Sequence, residues 1–141
     1  MNAPEPLELA AHWLAIALGD LQAAEQLLGD LRLPARQAAG HAQQAAEKAL
    51  KGAIVATGKA PPWTHDLEVL GPFLPATSRF HALDVRLARL SEAYSATRYP
   101  TYFEPDFGHD EAARLVSEAA AIVNAILDDF AALGLDRPAP R

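Results

Sequence analysis

Two short stretches hold the residue types best suited to chemistry. The first is EAYSATRYP, residues 92–100, where Arg98 continues the apolar seam of Leu90 and Tyr94 and Tyr99-Pro100 stops the helix. A guanidinium at that point is buried or lines a cleft, and a buried guanidinium requires an anionic partner. The anion can be internal, Asp20 or Glu47, or it can be a nucleotide phosphate, with Tyr99, Tyr102 and Phe103 stacking on the base. The second stretch presents His41, Gln44, Lys48 and Lys51 at i, i+3, i+7 and i+10, so that all four share one helical face. That strip is either an ordinary solvated face or a cationic, hydrogen-bonding surface for phosphate or a partner protein. Glu47 lies beside it, four residues before Lys51, and can pair with it.

Other polar residues have simpler readings. Trp13 and Asp20 share a helical face, Trp13 reading as core or interface and Asp20 as an exposed carboxylate or an arginine counter-ion. In Thr64-His65-Asp66-Leu67 a helix start explains Thr64 and Asp66 as caps but leaves His65 unexplained. His12, His41, His65, His81 and His109 are scattered, with no i, i+4 pair and no HExxH, so no metal site is expected. Neither a Ser-His-Asp arrangement nor a glycine-rich phosphate loop can be read.

Helices must position these groups. Apolar periodicity predicts a first helix over about residues 7–28, with Leu7, Ala11, Leu14, Leu18 and Leu21 inward and Gly29 as its cap. A second runs over about 35–56, with Pro34 in its first turn and Gly58 ending it. Its seam of Ala42, Ala45, Ala49, Ala53 and Ala56 predicts an unusually close neighbour, the first helix lying antiparallel. The prolines of GKAPPW forbid helix, and a short helix follows at about 66–70. A fourth is expected over about 80–97 on the stripe Phe80, Leu83, Leu87, Leu90 and Tyr94. After the aromatic connection RYPTYFEPDFGH, a last helix opens on Asp110 and Glu111 and buries Ala112, Leu115, Ala119, Ile122, Ile126, Phe130 and Leu133, with Gly134 closing it. The expected architecture is all-α: an up-and-down bundle of four long helices with one short helix in the middle connection, residues 1–135 forming one domain and 136–141 a disordered tail.

Composition narrows the classes. At 141 residues and half hydrophobic, the chain can bury one core. Its net charge of −6 argues against coating duplex DNA, which favours basic proteins. Without cysteine there is no disulfide, no thiolate zinc site and no thiol catalysis. No signal peptide or membrane span is read, so a cytoplasmic location is expected, with no membrane contact.

Four stretches together resemble the HEPN family: WLAIALGDLQAAEQLL (13–28), HAQQAAEKALKGAI (41–54), THDLEVL (64–70) and YSATRYP (94–100). In order and spacing they cover residues 10–130. The resemblance implies a four-to-five-helix bundle, usually a homodimer, linked to nucleotide and RNA transactions. It also implies frequent pairing with a small nucleotidyltransferase encoded alongside, often in toxin–antitoxin or defence systems. Many members are metal-independent RNases whose Arg and His are separated by four to six residues near the start of the last long helix. In such a pair the His exchanges a proton with a sugar or leaving oxygen and the Arg stabilises the charged phosphorane. Here ten residues separate Arg98 from His109, and the shorter pair Arg36 and His41 opens the second helix instead. The sequence is similar to the branch carrying Arg-Tyr-Pro, which implies nucleotide or RNA binding by Arg98, Tyr99, Tyr102, His41, Gln44, Lys48, Lys51 and His65, or a partner role, ahead of cleavage. No cofactor is implied. The alternatives are an RNase using Arg98 and His109, and a structural dimerisation module.

Overall fold

A computed structural model describes residues 5–100 and 107–141; Tyr102 and Phe103, expected to stack on a base, lie outside the described residues. The described chain is all-helical: α1 (Pro6–Leu28), α2 (Ala35–Ala56), the single turn α3 (Leu67–Leu70), α4 (Leu87–Ala96) and α5 (His109–Ala132). Two 3-10 turns, Gly71–Phe73 and Arg79–Ala82, lie between α3 and α4. Among the described residues no helix is long and apolar enough to cross a membrane.

α2 is the central element, packed against α1, α4 and α5. Its alanines explain this: Ala42, Ala45, Ala46 and Ala49 are all fully buried, and small side chains allow neighbours to approach on several sides. The expected close, antiparallel α1 is present. Gly52 late in α2 faces Ala10 and Trp13 early in α1, and a Cβ there would sit 3.0 Å from Trp13 Cβ. The core is completed by Leu14 and Leu18 of α1, Leu67 and Leu70 of α3, Leu90 of α4, and Leu115, Ile122 and Ile126 of α5. At the start of α1 the inward residue is Ala10, while Leu7 is exposed. Leu133 is also exposed, just past the end of α5.

The fourth helix differs from expectation: it begins at Leu87, not near residue 80. Side chains of α5 take over the backbone that helix would have needed. Asp129 accepts from Ser78 Oγ (2.6 Å) and from Arg79 N–H (3.1 Å), while Ser78 Oγ accepts from Phe80 N–H, which pins a 3-10 turn. Glu118 binds Arg86 through both its backbone N–H (3.4 Å) and its Nε (2.8 Å), and fixes the chain just before α4. Phe80 is still buried, delivered by the turn. Glu111 anchors the same corner to Arg89 Nε (2.9 Å) and Arg86 Nη1 (3.0 Å). The bond from Arg89, more than that from Arg86, holds its carboxyl below the usual range against an opposing push from burial.

α3 starts as the sequence suggests: Asp66 Oδ1 accepts from Glu68 N–H at 2.9 Å. The last residues, 136–141, form no helix and run along α1, where Arg141 N–H donates to the Ala15 carbonyl at 2.8 Å.

Candidate functional site

Where α2, the loop before α3, and the end of α4 meet, a connected set of polar and aromatic groups forms on one side of the bundle. Its anchor is Glu47, 5% exposed in the middle of α2. Glu47 accepts from Gln43 Nε2 (3.0 Å), Lys51 Nζ (3.1 Å) and His65 Nδ1 (2.8 Å). Burial pushes its carboxyl up, but the bonds from Gln43, His65 and Lys51 together outweigh it and hold the group below its ordinary range. An ionised carboxylate only accepts, so the His65 proton toward Glu47 is on Nδ1. Gln43, fully buried, also donates to the His65 carbonyl at 3.1 Å and accepts from Gln44 Nε2 at 2.7 Å. This network explains His65, which capping alone leaves without a reason.

From His65 the contacts pass to rings. Its imidazole stacks on Tyr94, centroids 3.7 Å apart and planes 15° from parallel. The Arg98 guanidinium lies over the same ring, 4.1 Å from its centroid. Two planar groups that close to one centroid cannot occupy one face, so Tyr94 is sandwiched between them.

Arg98 is therefore not the buried cation that continuing the seam suggests. α4 ends at Ala96, and the N–H groups of Arg98 and Tyr99 both return to the Ser95 carbonyl, which turns Arg98 outward. Its side chain is exposed, with Nη1 donating to the Tyr94 carbonyl (3.1 Å) and, at longer range, to Thr97 Oγ1 (3.4 Å). The internal carboxylates expected for it are taken. Lys48 Nζ sits 2.6 Å from Asp20 Oδ2, and Glu47 is held by Lys51, His65 and Gln43. Among the described residues Arg98 makes no contact with a carboxylate.

Instead it lines an open pocket of about 260 Å³ with Gln37, Gly40, His41, Gln44 and Thr97. His41 Nδ1 is buried toward Asp20, 3.9 Å from its Oδ1, without a hydrogen-bond partner among the described residues. Gly40 sets the pocket floor: a Cβ on it would run into the Thr97 methyl and come within 2.8 Å of Thr97 Oγ1. Only glycine lets the end of α4, with Arg98, settle this close on α2. On the His65 side of Tyr94 lies a separate, acidic groove with Asp66, Glu68 and Glu92 in its wall.

The expected strip on α2 thus divides. His41 and Gln44 reach the pocket with Arg98, whereas Lys48 and Lys51 are neutralised by Asp20 and Glu47. Tyr99 is 58% exposed and follows Arg98 without a ring contact among the described residues. His109 opens α5 with Nε2 buried and unpartnered, and no hydrogen bond or ring contact joins it to Arg98 among the described residues. Nothing in the sequence positions of Gly40 and Tyr94 marks them as site residues, and for Gln37 the one signal is its i, i+4 spacing with His41. A more enclosed apolar cavity of about 340 Å³ lies near the ends of α2 and α5. In its wall Asp129 is bonded to Ser78 and Arg79, and Thr57 to the Ile54 carbonyl behind it, which leaves little to orient a ligand.

The open pocket sets an exposed arginine beside a histidine and two glutamines, groups able to hold an anion, and no convergent metal-ligating cluster lies among the described residues. The chain belongs to the HEPN domain family, which matches residues 10–129. With that comes the family's general link to nucleotide and RNA handling. The chain is also similar to TT1696 from Thermus thermophilus, whose crystal structure superposes with a TM-score of 0.69 at 31% identity, covering 84% of this chain and 96% of that one. No curated protein matches it significantly.

Proposed function

We propose that this HEPN domain binds a nucleotide or RNA phosphate in the pocket formed by Arg98, His41 and Gln44, and acts as the partner of a nucleotidyltransferase. The observation that carries the reading is the exposed Arg98 guanidinium, without a carboxylate partner among the described residues, sharing a pocket with the side chains of His41 and Gln44. Exposed guanidinium N–H groups match phosphate oxygens in geometry and charge. Lys48 and Lys51 are already neutralised, so they tune the field around the pocket and do not hold the phosphate. In this reading RNA is bound rather than cut, because ten residues separate Arg98 from His109, a wider spacing than that of the family's cleaving pair.

The family resemblance supports the wider setting: a homodimer in the cytoplasm, encoded beside a small nucleotidyltransferase in a toxin–antitoxin or defence module. Isothermal titration with AMP and a short oligoribonucleotide tests the site; binding is expected in wild type and lost in Arg98→Ala. Unchanged affinity in that variant sinks the reading. Co-expression with the neighbouring nucleotidyltransferase, followed by size-exclusion chromatography, tests the partner: one co-eluting complex is expected.

A further inference from the structure

We infer that the ligand is a nucleoside phosphate whose base stacks on the face of Tyr94 now covered by Arg98, with Arg98 turning from the ring onto the phosphate. The inference rests on the anion-binding reading above and adds the base platform to it.

Tyr94 has what a platform needs. One face is fixed by the parallel imidazole of His65, itself tied to the buried Glu47, so the ring is held before any ligand arrives. The other face is covered by a planar group that can leave. Arg98 holds on by one good hydrogen bond to the Tyr94 carbonyl and a long one to Thr97, both in contact with solvent. An exposed cation–π contact of that kind is weak, while a nucleobase presents a larger planar surface to the same ring. The guanidinium already occupies the layer a base would take, 4.1 Å from the ring centroid. Swinging away, it moves toward the pocket it already lines, where His41 and Gln44 can meet sugar or phosphate oxygens. The groove on the His65 side is acidic and repels phosphate, which fixes the direction of binding. Tyr99 is the competing platform, but no described ring contact holds it, so stacking there would have to order the side chain as well.

Isothermal titration of the full chain with AMP and with ribose 5-phosphate separates base from phosphate. Wild type should bind AMP on the order of tenfold more tightly than ribose 5-phosphate. Tyr94→Phe should keep that preference, Tyr94→Leu should erase it while ribose 5-phosphate still binds, and Arg98→Ala should weaken both ligands. Because Tyr94 is half-buried and Tyr94→Leu can perturb folding, NMR of the wild-type ring provides an independent readout. AMP should shift the Tyr94 ring resonances through the base ring current, and ribose 5-phosphate should leave them nearly unmoved. Equal affinity for the two ligands, a preference that survives Tyr94→Leu or vanishes only in Tyr99→Ala, or an unmoved Tyr94 ring overturns the platform and leaves the anion site standing. Binding of neither ligand overturns both.

Discussion

The two ends of one helical strip have been put to different uses. His41 and Gln44 stand toward the first half of α2, Lys48 and Lys51 farther along, and on a helical wheel all four share a face. Yet Lys48 and Lys51 are closed off by Asp20 and Glu47, and Lys51 is only 12% exposed. The other end opens on a pocket with Arg98, where the nearest carboxylate contact of His41 among the described residues is Asp20 at 3.9 Å. Charge along a face therefore says little about binding until the carboxylates opposite it are known. Here Asp20 from α1 and Glu47 from α2 itself decide which half of the strip is structure and which is site.

The largest effect should come from breaking the structural half. Glu47→Ala removes the acceptor of Gln43, Lys51 and His65 at once and leaves a nearly buried ammonium without its partner. Urea unfolding should show a loss of about 3–5 kcal/mol, the usual consequence of removing one member of a buried pair. A loss below about 1 kcal/mol, the range of surface pairs, would mean that the lysine end is no more structural than the arginine end.

Gly40→Ala should come next, because it acts on the junction between the two halves. Alanine in place of a helical glycine normally gains up to about 1 kcal/mol. Here the new methyl meets Thr97, a short β-branched side chain that cannot swing aside, so the end of α4 must move. A net destabilisation of roughly 1–3 kcal/mol is expected, with weakened ligand binding, since Arg98 moves with Thr97. The double variant Gly40→Ala with Thr97→Ala should recover most of both. Recovery of stability without recovery of binding would separate Thr97 as a ligand contact from Thr97 as a spacer.

Acid should distinguish the halves too. The Glu47 carboxyl is held below its ordinary value of 4.5, so its stabilisation is fully present above that pH. It is lost as the pH falls through the lower folded-state value. Unfolding of wild type and Glu47→Gln measured from pH 7 to pH 3 should show their difference constant down to about pH 4.5 and shrinking below it. Other carboxylates, Glu111 among them, titrate in both proteins and cancel. A difference independent of pH would assign the role of Glu47 to shape rather than charge.

What sequence pattern could show and what it could not follows the same division. Regular alanine and leucine spacing made α1, α2 and α5 legible to within a residue or two, and the cap after the prolines of GKAPPW did the same for α3, because period, packing face and capping are local properties. The start of α4 was not legible: Asp129 reaches back to Ser78 and Arg79, and Glu118 to Arg86, and no local pattern announces a bond across thirty to fifty residues. At the site, Arg98, His41 and Gln44 could be picked out by type and spacing, and the i, i+4 pair of Glu47 and Lys51 by helical geometry. Tyr94 was hidden in an apolar stripe, since a tyrosine packed by one face into a polar network has the same spacing as one packed into a core. The outward turn of Arg98 was hidden as well, because extending the seam by one helical turn assumes that the helix continues, and it stops at Ala96.

The smallest effect on stability is the most informative about function. Arg98→Ala removes an exposed guanidinium held by backbone and ring contacts alone, and should change the unfolding free energy by no more than about 0.5 kcal/mol. Lys48→Ala, which leaves the partly buried Asp20 without its 2.6 Å partner, should cost roughly 1 kcal/mol. Titration should rank the same pair in the opposite order, with phosphate-bearing ligands lost in Arg98→Ala and nearly unaffected in Lys48→Ala. A cation tied into the fold by ion pairs cannot show that crossed pattern, because its removal weakens structure and any binding together. If Arg98→Ala instead proves as destabilising as Lys48→Ala, the sandwich on Tyr94 is part of the scaffold, and the contrast between the two ends of the strip collapses.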